Sequence, residues 1–362
     1  MIIKSLQLKN FRNYTAESVE FDKGINVLTG KNASGKTNML EAIYLLGVGK
    51  SPRTSKEREL INFNAEKASI KAIIEKKYRS HTIEVLFEGN GKKIKIDGLP
   101  IAKLSELIGI LNVVYFSPDE LKFIKETPAE RRRFLDISLC QQSKTYFISL
   151  ARYNKILAQR NKLLKVESRN PALPEMLSVW DSQMAEYGAN LILARRAYVK
   201  KLQGFASTTH AELTDNTEVI NLSYETSIES ERREDIVSEL LKKLSDNVEK
   251  DINLSFTTIG AHRDDIKITV NGLDARKFAS QGQQRTTALS IKIAELSLFK
   301  QETGESPILL LDDVLSELDE NRKQKLLSLS SYAQTVITCT EFDFKPTNMT
   351  KLYLIRDGKI IK

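Results

Sequence analysis

Cysteine is scarce in this sequence, which has only Cys140 and Cys339 among 362 residues. Two cysteines cannot build a disulfide framework, and no group of Cys and His residues has the spacing of a metal site. No apolar run is long enough to cross a membrane, and the N-terminus lacks the charged start and apolar core of a secretory signal. We therefore expect a cytoplasmic protein that is neither exported nor embedded in a membrane.

Proline is also scarce, with eight residues, while 41% of the chain is hydrophobic and 28% is charged. This composition is typical of a globular protein, and the length predicts two domains, one of which can be inserted into the other. The chain carries 55 basic and 47 acidic residues, for a net charge of +8. This excess favours a polyanionic partner such as nucleic acid, the alternative being a basic surface that binds no such partner.

Strand and helix patterns divide the chain into three parts. Residues 1–117 alternate like strands and include a β-meander over residues 67–96, whereas residues 118–205 have helical periodicity throughout. Two prolines in RNPALP separate the two long helices of this segment, which predicts an antiparallel hairpin of residues 143–166 and 173–205. We predict a head formed by residues 1–117 and 206–362, with residues 118–205 as an inserted helical arm. The last part is predicted to contain strand 218–225, helix 230–249, strand 265–272, helix 284–300, strand 307–313, helix 319–331 and the strands QTVITCT and KLYLIRD.

A glycine-rich loop follows the strand INVLT and opens a helix. TGKNASGKTN fits the pattern G-x-x-x-x-G-K-[ST], whose glycines let backbone N–H groups surround phosphate oxygens at a helix N-terminus. Lys36 is then expected to neutralise the β- and γ-phosphates of ATP, and Thr37 to ligate Mg²⁺. A simple glycine turn is the weaker alternative. The predicted nucleotide-binding residues here are Gly30, Lys31, Asn32, Ala33, Ser34, Gly35, Lys36, Thr37 and Asn38.

Two aspartates end the apolar strand PILLLDD, at the edge of an α/β sheet where ligands bind. Asp312 is the candidate second ligand for Mg²⁺. Asp313 is then placed to orient or deprotonate the attacking water, so that Asp313 and Lys36 are the predicted catalytic residues. The alternative is a solvated acidic turn.

A second loop that opens a helix, SQGQQRTTALSIKIAEL, precedes the aspartates. Its polar, glycine-containing start predicts another anion-binding helix N-terminus, with Ser280, Gly282 and Gln283 as nucleotide contacts. The segment SELDENR after the aspartates predicts a capped turn into a further helix.

These parts occur in the order found in ABC-type ATPase heads, and the sequence resembles the RecF family, which is related to SMC-type ATPases. The resemblance covers essentially the whole chain. It is carried by LKNFRNY, VLTGKNASGKTN, FSPDELKFIKETPAERRRFLD, GAHRDD, SQGQQR and LLLDDVLSELD. It implies an α/β head with a mixed sheet and a β-meander, and an inserted α-helical arm.

The resemblance also implies a function. A homodimer would sandwich two ATP molecules with Mg²⁺, so that Ser280 and Gly282 of one chain face the γ-phosphate held by Lys36 of the other. The dimer would act as a DNA clamp in recombinational repair and replication restart, with slow, DNA-dependent ATP hydrolysis as a switch. RecR and RecO would be partners in loading the RecA recombinase.

Two departures from related heads bear on catalysis. Transporter-type heads carry glutamate where this chain has Asp313, and the shorter side chain predicts slow hydrolysis. Such heads also place a histidine just after the last core strand, where this chain offers Thr338, Thr340 and Glu341. The γ-phosphate sensor is therefore unassigned.

Other charged residues have two interpretations each. Arg12 is either a nucleotide contact, to phosphate or base, or part of a surface ion pair. Two groups of basic residues either track a DNA backbone or are solvated helix faces. They are Arg131, Arg132 and Arg133 in one segment, and Arg195, Arg196, Lys200 and Lys201 in the other. His262, Arg263 and Asp264 are interpreted as an interface element.

Two other functions fit parts of the pattern. A transport ATPase subunit would share the phosphate loop, which is the glycine-rich loop TGKNASGKTN, as well as the second loop and the acidic strand. The long helical arm, Asp313 and the basic net charge argue against this function. A scaffold that is merely stabilised by nucleotide would bind DNA equally with and without ATP. No base-reading motif is present, so the preferred DNA structure stays open.

Overall fold

The computed structural model describes residues 1–89, 91–329, 331–340 and 350–361. The chain divides into two compact units. The first unit comprises Met1–Leu121, Thr208–Glu218 and Arg285–Lys362, and the second comprises Lys122–Ser207 and Val219–Gln284.

The regular elements follow the chain in order. The strands are β1 (Ile2–Phe11), β2 (Tyr14–Glu20), β3 (Ile25–Thr29), β4 (Lys67–Glu75), β5 (Ser80–Glu88), β6 (Gly91–Ile96), β7 (Leu99–Pro100), β8 (Val113–Phe116), β9 (Ile220–Glu225), β10 (Asp265–Val270), β11 (Leu273–Asp274), β12 (Ile308–Asp312), β13 (Thr335–Cys339), β14 (Thr350–Arg356) and β15 (Lys359–Ile361). The helices are α1 (Lys36–Val48), α2 (Lys122–Lys125), α3 (Pro128–Gln142), α4 (Lys144–Val166), α5 (Leu173–Leu213), α6 (Arg233–Asp246), α7 (Val248–Leu254), α8 (Ala275–Phe278), α9 (Gln281–Thr303) and α10 (Glu320–Leu329).

The first unit contains two sheets. One has the order β15-β14-β3-β13-β12-β8, in which β8, β12, β13, β3 and β14 are parallel and β15 is antiparallel. The other has the order β2-β1-β4-β5-β6-β7 and is antiparallel throughout, so the predicted meander and mixed sheet are confirmed. All five residues of β12 are buried, because a parallel strand is covered on both faces. Leu40 and Ile43 of α1 lie in one apolar cluster with Ile70 and Val336.

The second unit combines an antiparallel sheet, β11-β10-β9, with the helical hairpin of α4 and α5. The Ser143 hydroxyl caps α4 by accepting a hydrogen bond from the Tyr146 N–H at 3.1 Å. Arg160 of α4 is fully buried and donates to Asp181 of α5 at 2.5 Å and to Asp251 of α7 at 2.6 Å. This buried ion network fixes α4 against both neighbours.

Three details differ from the predictions. Helix α5 does not end near Phe205 but continues to Leu213, because Ala206, Thr209 and His210 extend its buried face. The single helix predicted over residues 230–249 is two helices, α6 and α7, which break at Asn247. Residues 219–284 were predicted as part of the head, but they belong to the second compact unit. There β9 pairs with β10, and Arg131 of α3 binds Asp265 of β10 through two hydrogen bonds.

In the part of the chain that the structure describes, no helix is both long and apolar enough to cross a membrane.

Candidate nucleotide-binding site

Three neighbouring parallel strands bring the predicted site residues of the first unit together. β13 lies between β3 and β12, with Thr338 paired to Leu28 on one side and to Asp312 on the other. The loop after β3 and the acidic end of β12 therefore meet at the same edge of the sheet, where ligands bind in α/β folds.

The loop after β3 has a backbone that demands glycine at two positions. Gly30 and Gly35 have φ angles of 144° and 120°, which side chains rarely allow. A Cβ atom at Gly30 would lie 2.2 Å from the Ile355 carbonyl oxygen. Residues 31–33 form an exposed tip, with Ala33 also at positive φ. The loop is thus held tightly against the sheet while its tip faces outward.

The Lys36 ammonium group lies inside this loop. It donates to the carbonyl oxygens of Gly30 at 2.5 Å and Lys31 at 3.0 Å, and the residue is 8% exposed. Burial lowers the pKa of Lys36 from its ordinary value, and the negative charge of Asp313 is the largest opposing influence. Asp313 therefore acts electrostatically on the same amine that is predicted to hold the phosphates.

The predicted metal ligands are in direct contact. The Thr37 hydroxyl donates to Asp312 Oδ1 at 2.9 Å, which sets two oxygen ligands side by side. Oxygen donors of this kind suit Mg²⁺, with phosphate and water completing the shell.

Two residues that the sequence did not assign orient Asp312. The Thr338 hydroxyl donates to Asp312 Oδ1 at 2.7 Å and accepts from the Asp313 N–H at 2.9 Å. The Tyr115 hydroxyl donates to Asp312 Oδ2 at 3.0 Å, and burial raises the pKa of this phenol well above its ordinary value. Tyr115 sits on β8, the strand beside β12, so only the sheet order reveals its role. Thr338 is one of the residues that stand where related heads place a histidine, and its hydroxyl bonds to both aspartates.

Asp313 occupies a left-handed backbone conformation, with φ of 54°, and its side chain is exposed. Aspartate and asparagine tolerate this conformation better than most residues. The Asp313 N–H donates to the Thr338 hydroxyl of β13, and this hydrogen bond fixes the turn that positions Asp313. Thr340 is exposed, and Glu341 lies outside the described residues.

The first unit shows two further features that fit a phosphate ligand. The Ser34 hydroxyl is buried and, among the described residues, has no hydrogen-bond partner. Helix α1 has no side-chain N-cap and no acidic residue in its first turn. Its first N–H groups and its dipole thus favour an anion.

Arg12 and Asn13, in the turn between β1 and β2, bond to α1 and to the loop before it. The Arg12 guanidinium donates to both oxygens of the buried Glu41 carboxylate, at 2.9 and 2.7 Å, and to the Glu59 carbonyl oxygen at 2.7 Å. The alternative interpretation of Arg12 was a surface ion pair, and the structure shows an ion pair whose acidic partner, Glu41, is buried. Asn13 donates to the Ser34 carbonyl oxygen at 2.9 Å and accepts from Asn38 at 2.8 Å, which links Asn38 to the loop.

The second predicted loop lies in the second unit. The Ser280 hydroxyl accepts from the Gln283 N–H at 3.2 Å, and the Gln283 side chain accepts from the Ser280 N–H at 2.9 Å. This reciprocal pair is a capping box at the start of α9, and Ser280 and Gly282 are exposed there. The predicted helix N-terminus is therefore present, starting three residues earlier than residue 284.

Most of the arginines considered for DNA binding are held by internal contacts of the second unit, whereas Arg133 is exposed and pairs with Glu130. Arg195 is buried and bonds Asp136, Tyr146 and the Ala261 carbonyl oxygen. Arg196 bonds the carbonyl oxygens of Ser230 and Ile228. Both interpretations of Arg195, as a DNA contact and as a solvated residue, are wrong, because its charge is neutralised in the interior. Arg131 is likewise buried, against Asp265.

The His262 cluster is also occupied by internal contacts. The Tyr153 hydroxyl lies 2.8 Å from His262 Nδ1, and the Thr257 carbonyl oxygen lies 3.0 Å from Nε2. Burial lowers the pKa of His262 to about 4. Arg263 stacks on Phe256, with its guanidinium carbon 4.7 Å from the ring centre. These contacts give the cluster a packing role inside the second unit.

Comparison with known proteins shows the family of this chain. The family model described as RecF/RecN/SMC N terminal domain matches residues 2–356. The DNA replication and repair protein RecF of Agathobacter rectalis is 49% identical over 344 residues, covering 95% of this chain and 93% of that protein. The protein of the same name from Lachnoclostridium phytofermentans is 45% identical over 366 residues, with 100% of both chains covered.

Solved structures give the same result. A structure of the recombination mediator protein RecF-ATP in the RecFOR pathway superposes with a TM-score of 0.92 at 36% identity, covering 99% of this chain and 96% of that one. An SMC head bound to the C-winged helix domain of ScpA has a TM-score of 0.58 at 19% identity, which shows the fold alone. The predicted ABC-type head with its helical arm is thereby confirmed, and the chain belongs to the RecF family.

Proposed function

We propose that this protein is an ATP-dependent DNA-binding protein of recombinational repair and replication restart, in which an ATP-bound dimer clamps DNA. The observation that carries the proposal is the meeting of Lys36, Thr37 and Asp312 at one edge of the parallel sheet. The relatives named as DNA replication and repair proteins, and the solved RecF-ATP structure, support it. They favour it over a transport ATPase subunit.

Thr37 and Asp312 would hold Mg²⁺, which neutralises charge on the β- and γ-phosphates when it is bound. The chain's own residues do the remaining work. Lys36 binds the phosphate oxygens, the N–H groups of the loop surround them, and Thr338 and Tyr115 keep Asp312 aimed at the metal position. Arg12 stays a candidate contact to the nucleotide, presented by Glu41.

Asp313 would accept the proton of the attacking water and so support slow, DNA-dependent hydrolysis that resets the dimer. Its exposed carboxylate and its electrostatic effect on Lys36 support this role. Such a switch works only if ATP hydrolysis is slower than dimer assembly. The side chain of Asp313 is one methylene shorter than the glutamate of transporter-type heads, and this favours slow hydrolysis.

Asp313→Asn should abolish most hydrolysis and leave ATP-bound dimers that persist. Asparagine tolerates the left-handed backbone at this position, so the turn and the metal ligands survive while the proton acceptor is lost. We expect turnover to fall by about 100-fold in a phosphate-release assay. Asp319→Asn is the matched control, because Asp319 is exposed in the same loop and asparagine keeps its cap to the Arg322 N–H. Turnover of Asp313→Asn equal to that of the control would assign the proton acceptor elsewhere.

The signature loop, defined here as Ser280–Gln283, would complete the site in trans, by contacting the γ-phosphate held by the partner chain. Its exposed helix start supplies N–H groups for that contact. We extend the proposal to RecR and RecO as partners, to RecA loading as the pathway step, and to the cytoplasm as location. Family membership supports these assignments.

DNA binding measured with and without ATP tests the proposed function. With a slowly hydrolysed analogue and Mg²⁺, we expect the affinity for DNA to rise at least about 10-fold, and to fall steeply as salt increases and counterion release weakens. Duplex, single-stranded and junction substrates of mixed sequence separate structure preference from sequence preference. Equal affinity with and without nucleotide would support a scaffold, and a flat salt response would contradict a DNA clamp.

A further inference from the structure

Helix α4 presents a surface of one charge sign. Its exposed side chains include five basic residues, and residues 144–166 contain no aspartate or glutamate. We call these five the α4 basic face: Lys144, Arg152, Lys155, Lys162 and Lys165. Within the described residues, none of the five makes an ion pair or a hydrogen bond.

Helix α6 of the same unit shows the charge pattern of an ordinary solvated helix. There Arg232 pairs with Asp235, Arg233 with Glu186, and Lys243 with Glu239. Mixed charges of this kind are the usual pattern on exposed helices. The α4 basic face departs from that pattern, because its positive charge is neutralised nowhere on the helix.

The spacing of the basic residues aligns them along one side. Lys144, Lys155 and Lys162 are separated by 11 and 7 residues, and at 100° per residue they point within about 20° of one another. The opposite side of α4 is buried, through Tyr146, Ser149, Tyr153, Ile156, Arg160 and Leu164. From Lys144 to Lys165 the helix rises about 30 Å, a length that corresponds to about nine base pairs of duplex DNA.

The face is also preformed. Arg160 points inward from the middle of α4 and is held by Asp181 and Asp251, and Thr257 accepts a further hydrogen bond at 2.9 Å. The helix axis is thereby fixed before any ligand binds. A rigid row of cations loses little conformational entropy on binding, apart from that of the lysine side chains.

We infer that the α4 basic face binds the phosphate backbone of duplex DNA, an assignment that rests on the proposed DNA-binding function and gives it a surface. Single-strand binders stack bases on exposed aromatic side chains. On α4, Tyr146 and Tyr153 are buried and Phe147 is half-buried, so none of the three is fully exposed for stacking. The residues between the cations include Ala151 and Ala158, which are exposed and small enough for a phosphate backbone to approach.

An acidic protein partner fits the face less well. Protein interfaces depend on a few large apolar or aromatic anchors that cluster together. The outward side of α4 exposes two large apolar side chains, Ile148 near its start and Val166 at its end, which lie too far apart to form one such cluster. The contacts available are charge contacts to a polyanion, which carry no sequence information.

The test removes charge without disturbing the helix. Lys155→Gln/Lys162→Gln/Lys165→Gln keeps the helix propensity, because lysine and glutamine are nearly equal helix formers. Lys242→Gln/Lys250→Gln/Lys267→Gln removes the same charge from exposed positions of the same unit. Fluorescence anisotropy with duplex and single strands of about 30 nucleotides, at about 50 to 200 mM salt and with a slowly hydrolysed ATP analogue, reports binding.

We expect the α4 variant to bind duplex about 100-fold more weakly near 0.15 M salt, and its log–log salt slope to be shallower by about 2 to 3. The control variant should stay within about twofold of the unmodified protein. An α4 variant that matches the control overturns the assignment to α4, and so does a loss confined to single strands. Failure of the unmodified protein to bind any DNA overturns the proposed function itself. DNA binding by the unmodified protein is therefore measured before the variants are compared. Light scattering of ATP-dependent dimers and thermal melting establish that both variants fold.

Discussion

Lys36→Ala should eliminate ATP-dependent behaviour altogether. The phosphate loop buries the Lys36 ammonium group, which donates to the Gly30 and Lys31 carbonyl oxygens. In the proposed function, this ammonium group is the cation that meets the β- and γ-phosphates. Removing one member of a close, desolvated charge pair costs about 3 kcal/mol, which is more than 100-fold in ATP affinity. Titration with a fluorescent ATP analogue measures this loss directly.

Lys50→Ala provides the control for this change. Lys50 is exposed just beyond the end of α1, so its removal subtracts the same charge near the same helix without touching the loop. We expect its ATP affinity to stay within about twofold of the unmodified protein. An affinity of Lys36→Ala that equals that of the control would remove the phosphate loop from the nucleotide site.

Mixing two inactive variants should restore a dimer. Lys36→Ala breaks the phosphate loop, and Ser280→Arg places bulk and charge in the signature loop. If each ATP site is formed by the phosphate loop of one chain and the signature loop of the other, then both sites of either homodimer contain one defective loop. ATP-dependent dimers of either variant alone should therefore be lost. In a heterodimer, one site combines the two defective loops, and the other site combines an intact phosphate loop with an intact signature loop. With random pairing, about half of the pairs are heterodimers, and we expect that fraction to recover in light scattering.

Two controls make this experiment decisive. Ser143→Arg removes another serine N-cap from the same unit, at a comparable cost of about 1 kcal/mol, and should still form homodimers. A size-tagged unmodified chain mixed with Lys36→Ala shows whether a single intact site holds a dimer. If that pair assembles while Lys36→Ala with Ser280→Arg does not, then the site is contained within one chain.

Local sequence patterns predicted the parts of the site that depend on short-range geometry. The loop from Gly30 to Thr37 is recognisable because glycine alone tolerates its φ angles, and Asp312 because an apolar strand ends at it. The capping box at Ser280 and Gln283 follows from side chains three residues apart. The elements α4 and β4 to β6 were visible for the same reason, since periodicity is a local property.

Long-range contacts were invisible to the same reasoning. Arg195 looked like a surface cation because it follows the charged pattern of its own helix, but Asp136, 59 residues away, neutralises it in the interior. Tyr115 carried no mark of function, because its partner, Asp312, lies 197 residues further along the chain. The assignment of residues 219–284 to a compact unit likewise depended on the pairing of β9 with β10.

The sequence by itself determined the nucleotide chemistry, that is, a phosphate loop, two carboxylates and a helix start. The tertiary structure decided which residues hold those groups in place and which cations remain available to a ligand. The physical reason is that backbone conformation and hydrophobic periodicity are set by neighbours along the chain, whereas desolvation and charge pairing are set by neighbours in space. Arg160 and Lys162 illustrate this difference, because they are basic residues only two positions apart on α4. Arg160 is buried against Asp181 and Asp251, whereas Lys162 is exposed on the α4 basic face.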